Sequence, residues 1–118
     1  MRLSVADVLS ATGARLLAGP AGAAFDSFHT DSRTVTPGGL FFALRGAEMD
    51  GHGFVADAVR RGATGVVVER PVEAGGSAVL AVEDGWRALY ALAGWVLAEV
   101  APLVVGITGS NGKTSTKE

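Results

Sequence analysis

"LFFALRGAEMDGHGFVADAVRRGATGVVV", residues 40–68, decides the fold. Five consecutive apolar residues open it, Leu40 to Leu44. An apolar run of that length behind the turn Thr36-Pro37-Gly38-Gly39 predicts a strand buried on both faces. The loop of residues 45–51 follows, and Asp50 is suited to cap a helix. Phe54, Val55, Ala58 and Val59 then form one apolar helical stripe. Gly62 stops that helix, and Gly65-Val66-Val67-Val68 predicts a second buried strand. Strand, crossover helix and strand in this order make a βαβ unit, hence an α/β fold with parallel strands.

The flanks extend this pattern. Ser4 is positioned to cap a short helix over 5–11 that Gly13 ends. Residues 15–17 suit a brief strand, and 23–30 a longer one with Phe25 and Phe28. Residues 78–82 form one more strand. Asp84 then opens the longest helix, about 85–100, whose predicted apolar face holds Trp86, Leu89, Tyr90, Ala93, Leu97 and Val100. Pro102 is expected to end it, residues 103–107 to form a strand, and a glycine loop to follow. A domain boundary is placed near Glu83, dividing the chain into 1–83 and 84–118. The sequence contains no internal repeat.

Bulk properties bound the function. The chain has 118 residues, enough for one domain and part of another. It is 48% hydrophobic and 19% charged, which supports a packed core. A net charge of −2 lacks the basic excess of a nucleic-acid binder, so no nucleic-acid partner is expected. The chain has no cysteine, which excludes disulfides and thiolate metal sites. Asp7 interrupts any signal-peptide core. The uncharged run 88–98 falls short of the roughly 20 residues a membrane span needs. His29 and His52 share no metal-ligand spacing. At a helix start, His52 reads more as a structural or exposed residue than as a ligand contact.

The stretch "GITGSNGKTSTKE", residues 106–118, carries the clearest chemistry. Gly109, Ser110, Asn111 and Gly112 form a turn that lets backbone N–H groups converge on phosphates. Lys113 is placed to reach the β- and γ-phosphates of ATP, and the Thr114 hydroxyl to sit on Mg²⁺. The general G-x-x-x-x-G-K-[ST] pattern is not met, because Ile107 stands where its first glycine belongs. The bland alternative is an ordinary strand-to-helix turn with an incidental lysine. Elsewhere, Thr30, Ser32 and Arg33 follow a strand end, where loops of open sheets gather ligands. The guanidinium fork of Arg33 suits a diphosphate. The alternative there is a turn with a solvated arginine.

The shortened glycine loop, together with "HTDSRTVTPGGLFFALRGAEMDGHGFVADAVRRGATGVVVE" (residues 29–69), resembles the Mur ligases, which add amino acids to the peptidoglycan precursor. Ser110-Asn111 and the trailing Lys117-Glu118 look most like the member that adds D-alanyl-D-alanine. The sister that adds the third residue more often has Thr-Asn there. The resemblance implies a small N-terminal uridine-diphosphate-binding α/β domain, then a linker helix, a first strand and the P-loop of a truncated ATP-binding domain. It implies that residues Gly109, Ser110, Asn111, Gly112, Lys113, Thr114 and Ser115 hold the ATP phosphates. Lys113 and Thr114 would be the catalytic pair, with Mg²⁺ at Thr114.

Thr30, Ser32 and Arg33 would touch the diphosphate or ribose. Arg45, Gly46 and Ala47 would meet the uracil edge through their backbone. The implied partners are UDP-N-acetylmuramoyl-peptide and D-alanyl-D-alanine, joined through an acyl phosphate in the cytoplasm. The piece alone is expected to be inactive and to self-associate through its apolar tail. Three alternatives stay open: the sister ligase, a stand-alone UDP-binding module, and a P-loop protein that shares only the glycine loop.

Overall fold

The computed structural model describes residues 2–46 and 49–108 and, of these, the side chains up to residue 98. In chain order the elements are β1 (Leu3–Ser4), α1 (Val5–Thr12), β2 (Arg15–Ala18), β3 (Ala24–Phe25), β4 (Ser27–His29), β5 (Gly39–Phe42), α2 (Val55–Arg60), β6 (Gly65–Val68), β7 (Ala78–Ala81) and α3 (Gly85–Thr108). Two 3-10 turns, Ser32–Thr34 and Gly51–Phe54, follow β4 and β5. The main sheet has the order β2-β7-β6-β5-β4. Strands β4 to β7 are parallel, and β2 closes one edge antiparallel to β7. The predicted βαβ unit is β5-α2-β6.

Each residue of β5 and β6 is buried, as an apolar run with a layer on either side requires. Alternate side chains serve opposite faces. Leu40, Phe42, Val67 and Leu80 join Val5 and Val8 of α1 and Ala88 and Leu92 of α3. Phe41, Val66, Val68 and Val79 join Val55 and Ala58 of α2. The sheet is thus sandwiched between α1 and α3 on one face and α2 on the other. Burying each of Leu40, Phe41 and Phe42 contributes about 1.5–3 kcal/mol.

Helix α1 begins in a capping box. Ser4 Oγ accepts the Asp7 N–H, and Asp7 Oδ2 accepts the Ser4 N–H, each at 3.0 Å. Gly13, at φ 74°, closes it in the left-handed region that glycine favours.

Three expectations are corrected. Residues 23–30 are two short strands, because the chain changes partner at Asp26. There β3 leaves its pairing with β1, the Asp26 N–H donates to Gly38 O at 3.0 Å, and β4 pairs with β5. The buried face of α3 carries Ala88 and Leu92, with Leu89 of the predicted face packed beside them, while Trp86, Tyr90 and Leu97 of that face are 43%, 68% and 62% exposed and the Val100 side chain lies outside the described residues. Both sides of this helix are apolar, so periodicity alone did not choose between them. Finally, α3 continues through Pro102, and residues 103–107 are helical instead of the expected first strand. Among the described residues no strand pairs with 103–107, and a helix satisfies its backbone groups internally at the loss of the one bond proline cannot donate. The predicted P-loop lies outside the described residues.

Candidate functional site

The loop after β4 is built from its own side chains. Asp31 Oδ1 accepts the Arg33 N–H at 2.9 Å and starts the 3-10 turn. The Arg33 guanidinium folds back onto the same carboxylate, Nε to Oδ1 at 3.1 Å and one terminal nitrogen to Oδ2 at 2.8 Å. These bonds, the side-chain one first, lower the Asp31 pKa to about 2. The Asp31 carboxylate in turn raises that of Arg33. Two of the five guanidinium N–H donors are thereby used and three remain for a ligand. Ser32 is buried, beside Asp57 of α2. Asp57 also pairs with Arg60 and Arg61, at 2.6 and 2.9 Å, and its pKa is lowered by Arg61 first, then Ser32.

The loop after β5 is wired to distant elements. Arg45 Nε donates to Glu69 Oε1 at 2.8 Å. Glu69 Oε2 accepts the Gly85 N–H at 2.7 Å, at the first residue of α3. The Trp86 indole N–H then returns to the Arg45 carbonyl at 3.0 Å, closing a circuit. Beneath it, His52 is buried with a side chain only 1% exposed. Its Nε2 accepts the Glu69 N–H at 2.9 Å, so the ring proton sits on Nδ1, which donates to Asp50 Oδ1 at 2.6 Å. The His52 backbone N–H, its side chain and Arg70 together hold the Asp50 carboxyl well below the usual carboxylate range. Gly51 is required sterically, since a Cβ there would stand 2.6 Å from Leu44 N and 2.8 Å from Leu44 O.

Between the two loops, at the C-terminal ends of β4 and β5, lies a cleft of about 760 Å³. That is within the roughly 300–1,000 Å³ span of small-molecule pockets. Thr30, Ser32, Arg33 and Gly46 line it, bringing together four residues predicted from strand ends far apart in sequence. The Arg45 side chain is committed to Glu69, and the Gly46 N–H donates to Met49 O at 2.7 Å. Ala47 and the ATP-loop residues Gly109, Ser110, Asn111, Gly112, Lys113, Thr114 and Ser115 lie outside the described residues.

Asp31 and Asp57, each paired with arginine, and Phe41, Leu44 and Gly51 also line it, as do Met49, Phe54, Arg60 and Trp86, none of which is predicted for it. Phe54 and Trp86 had each been read as part of a helix face. The available signal was a large aromatic at a helix start, beside a loop already suspected of ligand contact. A second cleft, of about 780 Å³, gathers Arg15, Arg70, Arg87, Glu83 and Asp84, charges of both signs. It includes none of the predicted ligand residues. Among the described residues no helix is long and apolar enough to cross a membrane, and no group of three or more His, Asp or Glu is placed to hold a metal.

Comparison with known proteins adds to this geometry. Residues 25–93 match the family model described as "Mur ligase family, catalytic domain". UDP-N-acetylmuramoyl-tripeptide--D-alanyl-D-alanine ligase of Treponema pallidum is 41% identical over 130 residues, covering 100% of this chain and 28% of the relative. UDP-N-acetylmuramoyl-L-alanyl-D-glutamate--2,6-diaminopimelate ligase of Geobacillus thermodenitrificans is 44% identical over 88 residues, 73% of this chain and 18% of the relative. Among solved structures, MurF from Acinetobacter baumannii superposes with a TM-score of 0.77 at 30% identity, over 86% of this chain and 22% of its own. The chain therefore spans between about a sixth and a little over a quarter of the length of these proteins. With the βαβ core falling inside the matched segment, this chain belongs to the Mur ligase family.

Proposed function

We propose that this chain contributes the uridine-diphosphate end of the substrate site in a ligase that joins D-alanyl-D-alanine to UDP-N-acetylmuramoyl-tripeptide. The observation that carries the reading is the cleft between β4 and β5, where Thr30, Ser32 and Arg33 face Gly46. Three free guanidinium N–H groups on Arg33 suit a diphosphate, and Asp31 holds the fork in place. Thr30 supplies a hydroxyl for ribose or phosphate, and the buried Ser32, whose hydroxyl donates to Asp57, offers only an oxygen acceptor to a ribose hydroxyl. The apolar wall of Met49, Phe54 and Trp86 suits a flat base.

In this reading residues 1–83 hold the nucleotide end, with Trp86 at the start of α3 adding one wall of the cleft. Residues 84–118 lead toward the ATP site, with α3 packed on the core of the first unit. The donor set of Gly109 to Ser115 fits a magnesium-bound triphosphate: glycine amides, an ammonium at Lys113 and hydroxyls at Thr114 and Ser115. ATP would supply the phosphoryl group that activates the tripeptide carboxylate for attack by the dipeptide amine. A second reading has specific support, because diaminopimelate-adding relatives match over nearly three quarters of the chain. The uridine-binding residues would serve both ligases alike.

Calorimetric titration of this chain with UDP tests the reading. A few charge-assisted hydrogen bonds, offset by ordering costs, predict saturable heat in roughly the millimolar range. Arg33→Ala is expected to weaken UDP about tenfold, as loss of one charged hydrogen-bonding group does. Absence of heat from the parent chain at millimolar UDP overturns it.

A further inference from the structure

We propose that Trp86 is a positioning residue for the nucleobase, its indole face forming the platform on which the base of a uridine nucleotide stacks. The inference rests on the uridine reading of the cleft and goes beyond it by naming the surface that takes the base.

Three independent features place the ring. Trp86 lines the cleft and is 43% exposed, so part of its ring is open to a ligand there. Its N–H is fixed on the Arg45 carbonyl at 3.0 Å, so the ring is held in one orientation before any ligand arrives. Tyr90, one turn further along α3, backs it with ring centroids 6.4 Å apart at 33°. The helix start beneath is equally fixed. Asp84 Oδ1 accepts the Trp86 and Arg87 N–H groups at 3.0 and 3.2 Å. A Cβ at Gly85 would stand 3.0 Å from Leu44 Cδ2, so Gly85 lets α3 press against the residue where the cleft loop begins.

The neighbouring Gly46 points the same way. Among the described residues a Cβ there would meet nothing nearer than Met49 O at 3.5 Å, an ordinary contact. Packing against the described residues therefore does not demand glycine at this position. Its missing side chain keeps the rim beside the indole open. A planar base has apolar faces and a polar edge. With one face on Trp86, its edge lies against the backbone of the loop that the indole N–H holds.

The test uses this chain with Trp95→Phe as background, leaving Trp86 as the sole indole of the two in the sequence. UDP is expected to quench its emission with the same dissociation constant that calorimetry gives, while pyrophosphate leaves the emission unchanged. Trp86→Ala is expected to weaken UDP by about tenfold or more, the usual cost of losing one base-stacking aromatic. Trp86→Phe, which keeps a ring and guards against misfolding of the alanine variant, is expected to stay within about threefold. UDP heat that persists undiminished in Trp86→Ala, or unaltered emission on UDP binding, overturns the platform and leaves the uridine cleft standing. Quenching by pyrophosphate equal to that by UDP also overturns it. No UDP heat with the parent chain removes the cleft reading and the platform with it.

Discussion

The two loops that frame the cleft leave parallel strands side by side, yet they are held in opposite ways. The loop after β4 closes on itself. Asp31 caps its turn and pairs with Arg33, whose side chain is 80% exposed. The loop after β5 is tied to residues that lie 17 and 41 positions away, through His52 to Glu69 and Trp86 to Arg45. The first arrangement presents a charge to solvent and leaves donors free. The second uses up its charge, with Arg45 committed to Glu69, and presents rigid backbone and an aromatic wall. A diphosphate calls for charged donors open to solvent, here a fork oriented by Asp31, whereas a flat base calls for a fixed shelf. One cleft therefore takes its electrostatics from a local loop and its shape from a long-range network.

Disrupting the network should show this contrast most strongly. His52→Ala removes a buried ring and leaves the Glu69 N–H without its acceptor, at a cost of about 3 kcal/mol in urea unfolding. His52→Gln offers a carbonyl oxygen to the same N–H and is expected to recover about half of that loss. If both variants unfold at the parent's urea midpoint, the long-range loop is no more structural than the local one. Glu69→Gln keeps the side-chain size but ends the ion pair with Arg45, whose side chain is 63% exposed. Solvent screening there limits the expected loss to about 1 kcal/mol, read from the same midpoint. That change should also broaden the Trp86 emission response, since Gly85 and Arg45 both lose part of their tether.

The same contrast explains what the sequence disclosed. Leu40 to Leu44 and Gly65 to Val68 announced buried strands, because an apolar run bounded by turn residues has few other solutions. Ser4, Asp50 and Asp84 announced helix or turn starts through local capping chemistry, and each accepts a nearby backbone N–H. Thr30, Ser32 and Arg33 were legible as ligand candidates because their loop is local, sitting just past a strand end. The Arg45–Glu69–Gly85–Trp86 circuit was not legible, since nothing in the spacing of four residues spread over 41 positions marks them as neighbours. The face of α3 was misread for a related reason. Ala88 and Leu92 are buried by contact with α1, a tertiary fact, while the larger Trp86, Tyr90 and Leu97 dominated the apolar pattern.

The smallest expected effect is the one that isolates the local loop. The Asp31 carboxyl has its pKa lowered from 3.8 to about 2, chiefly by the Arg33 side-chain hydrogen bonds. A carboxylate with a lowered folded-state pKa adds stability that is fully present above the unfolded value near 3.8. That contribution is lost as pH falls through about 2. Asp31→Asn should therefore flatten part of the acid limb of the unfolding curve between these two values and leave the neutral region nearly unchanged. Because Asp31 also orients the Arg33 fork, the variant should weaken UDP a few-fold at neutral pH, where the parent's pair is intact. An acid limb identical in parent and variant would mean the pair adds nothing to the folded state. UDP binding unchanged at the same time would mean Arg33 finds its ligand without being held, and the local loop would then be a plain turn beside a cleft shaped entirely by the other one.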